Sequence, residues 1–115
     1  MRTIIAGGRE VINQLLVDNA IVASGFQITE VVSGGAPGVD TLGEQWAANN
    51  TIPVKRFPAE WSLHGKAAGP IRNRQMAEYA EALVAVWDGL SRGTKNMIDT
   101  ARMVGLKVFI FRYPE

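Results

Sequence analysis

The sequence predicts an α/β domain of the doubly wound, Rossmann-like kind, a five-stranded parallel sheet in the order 3-2-1-4-5 with helices on both faces. Three observations predict it. Short apolar runs rich in branched residues alternate with segments of helical periodicity, the signature of parallel strands joined by crossover helices. Glycine-rich turns follow the apolar runs that end at Ala6, Ser33 and Trp87. The chain has 115 residues, 47% of them apolar and 20% charged, and is expected to be one domain over 1–115. A chain of this size buries roughly 65% of the surface it exposes when unfolded, enough for a single core.

The elements follow in order. A first strand over Thr3 to Ala6 stops at Gly7-Gly8, and a helix is predicted from about Glu10 to Ala23. Val11, Ile12, Leu15, Leu16 and Ile21 give that helix a broad apolar face, and Gly25 is placed to close it with a left-handed cap. Ile28 to Ser33 reads as the second strand. The next helix, Val39 to Ala48, carries Val39, Leu42, Trp46 and Ala47 at i, i+3, i+7 and i+8, which puts Trp46 in the core, and Asn49-Asn50 ends it. Pro53 to Phe57 is a short third strand near a sheet edge, because proline opens it. Pro58 to Gly69 reads as an irregular stretch, and Pro70 suits the first turn of a third helix reaching about Tyr79. Ala82 to Trp87 is continuously apolar, as in a strand buried on both faces. A fourth helix from Thr94 to Val104 turns Met97, Ile98, Ala101 and Val104 inward before Gly105, and Lys107 to Phe111 is the fifth strand.

Composition removes several chemistries. With no cysteine there is no thiolate zinc site, iron-sulfur cluster, c-type haem or cysteine nucleophile, and one histidine rules out paired-histidine metal sites. No metal and no cofactor are expected. The longest apolar run, Ala82 to Trp87, falls far short of the ~20 residues that span a bilayer, so no membrane partner is expected. Met1-Arg2 leads directly into a strand-like segment, and the expectation is a cytoplasmic protein without a signal peptide. A formal net charge of +1 argues against a surface coated for duplex DNA, although a local basic cluster is compatible with it.

In the predicted strand order the switch point lies between strands one and four, and ligands of open α/β sheets sit in the crevice at the carboxyl ends there. The turn Ser33, Gly34, Gly35, Ala36, Pro37, Gly38, Val39, Asp40 joins a buried strand to a helix start, where backbone amides and the helix dipole favour an anion. It lacks the terminal Gly-Lys-Ser/Thr of a Walker loop. Asp40 would repel a phosphate, so it either caps amides or accepts ligand hydroxyls such as those of ribose. Asp88, Gly89, Leu90, Ser91, Arg92, Gly93 and Thr94 repeat the arrangement after strand four, with Ser91 or Thr94 placed to cap the helix. Arg9, directly after Gly7-Gly8, offers a further cationic contact.

Arg72 and Arg74 fall in the first turns of the third helix, where positive charge opposes the macrodipole by a few tenths of a kcal/mol unless an anion is bound. Arg72 shares a face with Met76 and with Tyr79 or Ala80, so it aims at the crevice while Arg74 faces water. Trp61, His64, Gly65 and Lys66 occupy the irregular stretch ahead of this helix, of a kind that often covers ligands. Trp61 or Phe57 either stacks on a base or pins the loop to the core, and Trp87 is placed to form a crevice wall. A lone histidine with no assigned acid partner is a weak catalytic candidate.

The runs VVSGGAPGVDTLGEQWA and GKAAGPIRNRQMAEYAEALVAVWDGLSRGTKNMIDTA resemble the small YspA-like members of the SLOG superfamily, Rossmann-like domains that bind nucleotides or nucleotide-derived ligands. The resemblance covers nearly the whole chain. Two related groups imply different functions. The cytokinin-activating phosphoribohydrolases share a glycine-rich turn after strand two, an arginine matching Arg72, and a Gly-Thr turn matching Gly93-Thr94 that is followed by glutamates. Here Lys95, Asn96 and Met97 follow instead, so the resemblance does not carry that catalysis over. The DNA-processing protein DprA shares a turn like Ser33 to Asp40 and an Arg-Asn-Arg like Arg72, Asn73 and Arg74, and it binds single-stranded DNA. By family analogy a homo-oligomer is expected, with a symmetric dimer the default.

The resulting expectation is a binder of a nucleotide-derived phosphate ligand, ADP-ribose-like or a mononucleotide, held across the ends of strands one, two and four. Gly34 to Gly38 and Gly93-Thr94 would hold phosphates by backbone amides, Arg9 and Arg72 would neutralise charge, Asp40 or Asp88 would accept ribose hydroxyls, and Trp61 or Trp87 would flank the base. Holding such a ligand without turnover would suit sequestration of a signalling molecule, as a phage anti-defence protein performs it. The alternatives are a nucleotide hydrolase or N-glycosidase using Asp88, Asp40 or His64, and a DprA-like single-strand binder.

Overall fold

The computed structural model describes residues 1–114. Strands β1 (Arg2–Gly7), β2 (Glu30–Ser33), β3 (Val54–Arg56), β4 (Ala82–Trp87) and β5 (Lys107–Arg112) form one sheet in the order β3-β2-β1-β4-β5. All four pairings are parallel, with Ile4 opposite Val32 on one side and Leu83 on the other. The predicted strand order and the doubly wound α/β class are the observed ones.

Alternation along the strands divides the interior in two. Ile4 and Ala6 of β1, Val32 of β2 and Leu83 and Ala85 of β4 point to one face, where they meet Met76 and Ala77 of α4 (Ala68–Tyr79) and Met97, Ile98 and Ala101 of α5 (Arg92–Met103). Ile5, Val31, Val84 and Val86 point to the other, against Val17, Ala20 and Ile21 of α1 (Gln14–Ser24) and Val39 and Ala47 of α2 (Val39–Asn49). Each fully buried side chain of the size of Leu83 or Met76 contributes about 1.5–3 kcal/mol of transfer free energy. β4 is buried along both faces, as its unbroken apolar run requires. β3 lies at an edge, and all three of its residues are exposed.

Several local expectations are corrected. The first helix starts at Gln14 rather than Glu10, because the Asn13 side chain accepts the amides of Leu15, at 3.0 Å, and Leu16 and so fixes the N-cap. Val11 is buried although it precedes the helix, whereas Ile12 is 90% exposed and Leu15 is also exposed, so neither belongs to the inward face. The helix ends as expected at Gly25, with φ 70°. The stretch Pro58 to Gly69 is not irregular throughout: α3 (Trp61–His64) and a 3-10 turn (Gly65–Ala67) lead into α4, which begins two residues before Pro70. The fourth predicted helix begins at Arg92 instead of Thr94, since Ser91 is its N-cap. Trp46 is half-buried against the core rather than enclosed within it. Among the described residues no helix is long and apolar enough to cross a membrane.

Candidate functional site

A cavity of about 1010 Å³ opens beyond the carboxyl ends of β1, β2 and β3. It stands at the upper end of the roughly 300–1,000 Å³ usual for small-molecule clefts. The turn after β1 contributes Gly7 and Arg9, and the turn after β2 contributes Gly34, Gly35, Ala36 and Pro37. Asp40, Thr41 and Glu44 enter from α2, Arg72, Asn73 and Met76 from α4, and Ser91, Gly93, Thr94 and Asn96 from the start of α5. Arg56, Pro58, Ala59 and Trp61 close the far end.

The β2–α2 turn is locked by its own hydrogen bonds. Ser33 Oγ accepts the Gly35 amide at 3.0 Å and donates to Glu44 at 2.6 Å. Asp40 Oδ2 accepts the Ala36 amide at 3.2 Å, and the Val39 amide donates to the Gly8 carbonyl at 3.1 Å. Three amides expected to face a phosphate are therefore engaged with protein oxygens. Gly38 has φ 81°, and a Cβ there would come within 2.7 Å of the Arg9 Cα, so only glycine lets the first two turns approach so closely. Gly8, Ser33, Gly38 and Val39 shape this corner without lining the cavity.

Arg72 is the best-defined polar group of the crevice. Its Nη1 donates to the Gly34 carbonyl at 2.9 Å and its Nε to Asn73 Oδ1 at 3.1 Å. Asn73 is itself buried and donates to Asn96 Oδ1 at 2.9 Å, tying the first half of α4 to the first turns of α5. Two of Arg72's hydrogen bonds thus fix its plane, and its other N–H donors face neither partner. Burial pulls its pKa below the usual value, with the Asp40 carboxylate opposing that shift and the Arg9 charge adding to it. Arg74 turns away into water and pairs with Glu78 at 3.1 Å.

Asp40 is 6% exposed, and burial pushes its carboxyl up to about 6, against the lowering effect of the Ala36 amide and of Arg72. Glu44, one turn further along α2, is ion-paired with Arg56. Four arginines, Arg9, Arg56, Arg72 and Arg92, line the cavity against the two carboxylates of Asp40 and Glu44.

The turn after β4 divides its residues between structure and cavity. Asp88 Oδ1 accepts the amides of Leu90 and Ser91, each at 2.8 Å, and those bonds hold its pKa below the usual carboxylate range. Trp87 donates its indole N–H to the Ser91 carbonyl at 3.1 Å, and the Arg112 guanidinium lies 5.6 Å over its ring. Trp87, Asp88 and Gly89 therefore build the turn and are not among the cavity-lining residues. Ser91 caps α5 by accepting the Thr94 amide, and Gly93 and Thr94 face the cavity. His64 and Lys66 are exposed on the approach to α4 and do not line the cavity, and Phe57 packs on Tyr79 with ring centroids 5.5 Å apart. Trp61 does line it, 55% exposed. Glu44, Arg56, Thr41, Arg92 and Asn96 are lining residues that the sequence reading did not single out. Glu44 carried a readable signal, one helical turn after Asp40, whereas Arg56 depends on how β3 is seated.

Sheet order, crevice and glycine-rich corner define a Rossmann-like α/β domain with a cleft beyond the carboxyl ends of its strands. The model of the YspA, cpYpsA-related SLOG family matches residues 1–64, and the chain belongs to that family. It is 36% identical over 87 residues to the Gene 61 protein of Mycobacterium phage D29, a match covering 70% of each chain. Among solved structures it is similar to DNA processing protein A (DprA) from Streptococcus pneumoniae, with a TM-score of 0.75 and 18% identity. That similarity covers 95% of this chain and 49% of DprA, so the chain spans about half of DprA's length.

Proposed function

We propose that the crevice binds a nucleotide-derived phosphate ligand, ADP-ribose-like or a mononucleotide, and holds it without turnover. The observation that carries this reading is Arg72, oriented by the Gly34 carbonyl and by Asn73, with donors left over at the wall of a large cavity. A planar guanidinium fixed in this way suits a phosphate. Arg9 and the first turn of α5 at Arg92 and Gly93 would share the negative charge, Trp61 would flank the base, and Asp40 would face sugar hydroxyls. Asp88 has no place in this scheme, because both of the amides it accepts belong to its own turn. Membership of the SLOG family supports a nucleotide-derived ligand, and the phage-encoded relative fits sequestration of a nucleotide signal.

The test is to incubate the protein with ADP-ribose and with mononucleotides, isolate it, denature it and identify the released molecules by mass spectrometry. Intact recovery supports the binder. Released base or ribose phosphate supports a hydrolase instead, and recovery of no nucleotide overturns the reading. Arg72→Ala is expected to keep the fold and lose about 10–100-fold in affinity, the equivalent of one charge-assisted hydrogen bond; unchanged affinity removes Arg72 from the role. Single-strand affinity measured against salt separates the DprA-like alternative, which requires a steep negative slope.

A further inference from the structure

Asp40 stands in the first turn of α2, almost fully buried, with Ala36 as its backbone donor. It looks across Gly34 at Arg72. A Cβ built on Gly34 would lie 2.8 Å both from Asp40 Oδ2 and from the Arg72 guanidinium carbon, so the two charged groups flank one point of backbone that carries no side chain. They do not close into an ion pair, and both border the crevice. The other charged groups around Asp40 are Glu44 on its own helix, Arg9 in the turn after β1, which faces Arg72, and Arg56 of β3, which Glu44 already holds. Ionised Asp40 is therefore the resident counter-charge of Arg72.

A phosphate that reaches Arg72 brings a second negative charge beside a poorly solvated carboxylate. Like charges in such a place favour the protonated acid. We infer that Asp40 takes up a proton when an anionic ligand occupies the Arg72 end of the crevice, and so sets the pH range over which the site accepts a phosphate. The inference rests on the binding reading above. Burial has already raised its ordinary value of 3.8 to about 6, and an anion bound beside it pushes further in the same direction. Below that point the carboxyl is neutral and Arg72 is uncompensated. Above it, each bound phosphate must be accompanied by a proton. The protonated acid still has an oxygen for the Ala36 amide and gains an O–H for a ligand oxygen.

ADP-ribose is the probe, because its pyrophosphate bridge keeps a constant charge over the range that matters. Calorimetry of the wild-type protein at about pH 7, in buffers of different ionisation enthalpy, is expected to register net proton uptake on binding. Affinity is expected to fall by up to about tenfold per pH unit above the Asp40 midpoint. Asp40→Asn is expected to match the wild type in acid, to keep that affinity as pH rises, and to bind more tightly than the wild type at about pH 8. His64→Gln, which alters the single histidine on α3 outside the cavity, is expected to keep the wild-type profile. Binding without proton uptake, an equal pH profile in Asp40→Asn, or a profile flattened by His64→Gln overturns this inference alone. No binding of ADP-ribose at any pH overturns it together with the ligand class.

Discussion

Two glycine-rich turns, each holding an aspartate near a helix start, flank the crevice and behave in opposite ways. In the turn 33–40 the aspartate is buried, receives the Ala36 amide and has its pKa raised to about 6. In the turn 88–94 the aspartate receives two amides close to solvent and has its pKa lowered. Similar residues at similar places thus yield opposite electrostatics, decided by whether hydrogen bonding outweighs desolvation. The first turn stores an uncomfortable charge at the cavity wall. The second uses its charge to shape the chain and leaves the cavity to the residues that follow.

The contrast is most sharply tested at the glycines. Gly38→Ala is expected to destabilise the fold by about 2–4 kcal/mol, combining a strained positive φ with a collision against the Arg9 backbone; a urea midpoint equal to that of the wild type would break the account of the locked corner. Asp40→Asn is expected to stabilise the protein by about 1–3 kcal/mol at neutral pH. The sign follows from the raised folded value. The wild type loses stability as pH rises from 3.8 to about 6, whereas the variant does not, so their difference grows across that window and stays constant above it. Asp88→Asn is expected to act in the opposite direction. A lowered folded pKa gives stability that is present above the ordinary 3.8 and lost as pH falls through the folded value, so the variant is weaker at neutral pH and the gap closes in acid. Parallel acid and neutral denaturation curves for both variants check the pair. The smallest effect belongs to Gly93→Ala, expected to stabilise by up to about 0.5 kcal/mol, since nothing beyond the helix's own backbone stands within 4 Å of the added methyl and the position is helical.

Much of this architecture was legible from the sequence. The strand order followed from alternating apolar runs, and Ala82 to Trp87 is the observed β4. The three turns were also placed correctly at the ends of their strands. Division of labour within them was not legible, because it depends on which oxygen reaches which amide. Asp40 and Asp88 read alike until Gly34, Arg72 and Ala36 are seen around one and Leu90 and Ser91 around the other. The start of α1 is not legible from apolar spacing, because Val11 and Ile12 extend that spacing ahead of the residue that caps the helix, Asn13. Arg56 is not legible as a site residue because its partner Glu44 lies on another element, and no local pattern announces a contact between an edge strand and a helix.

The split interior carries a mechanical consequence. Asp40 rides on a helix of one layer and Arg72 on a helix of the other, with the sheet between those layers. Any molecule gripped by both would act as a clasp across the sandwich, slowing amide exchange in α2 and α4 together.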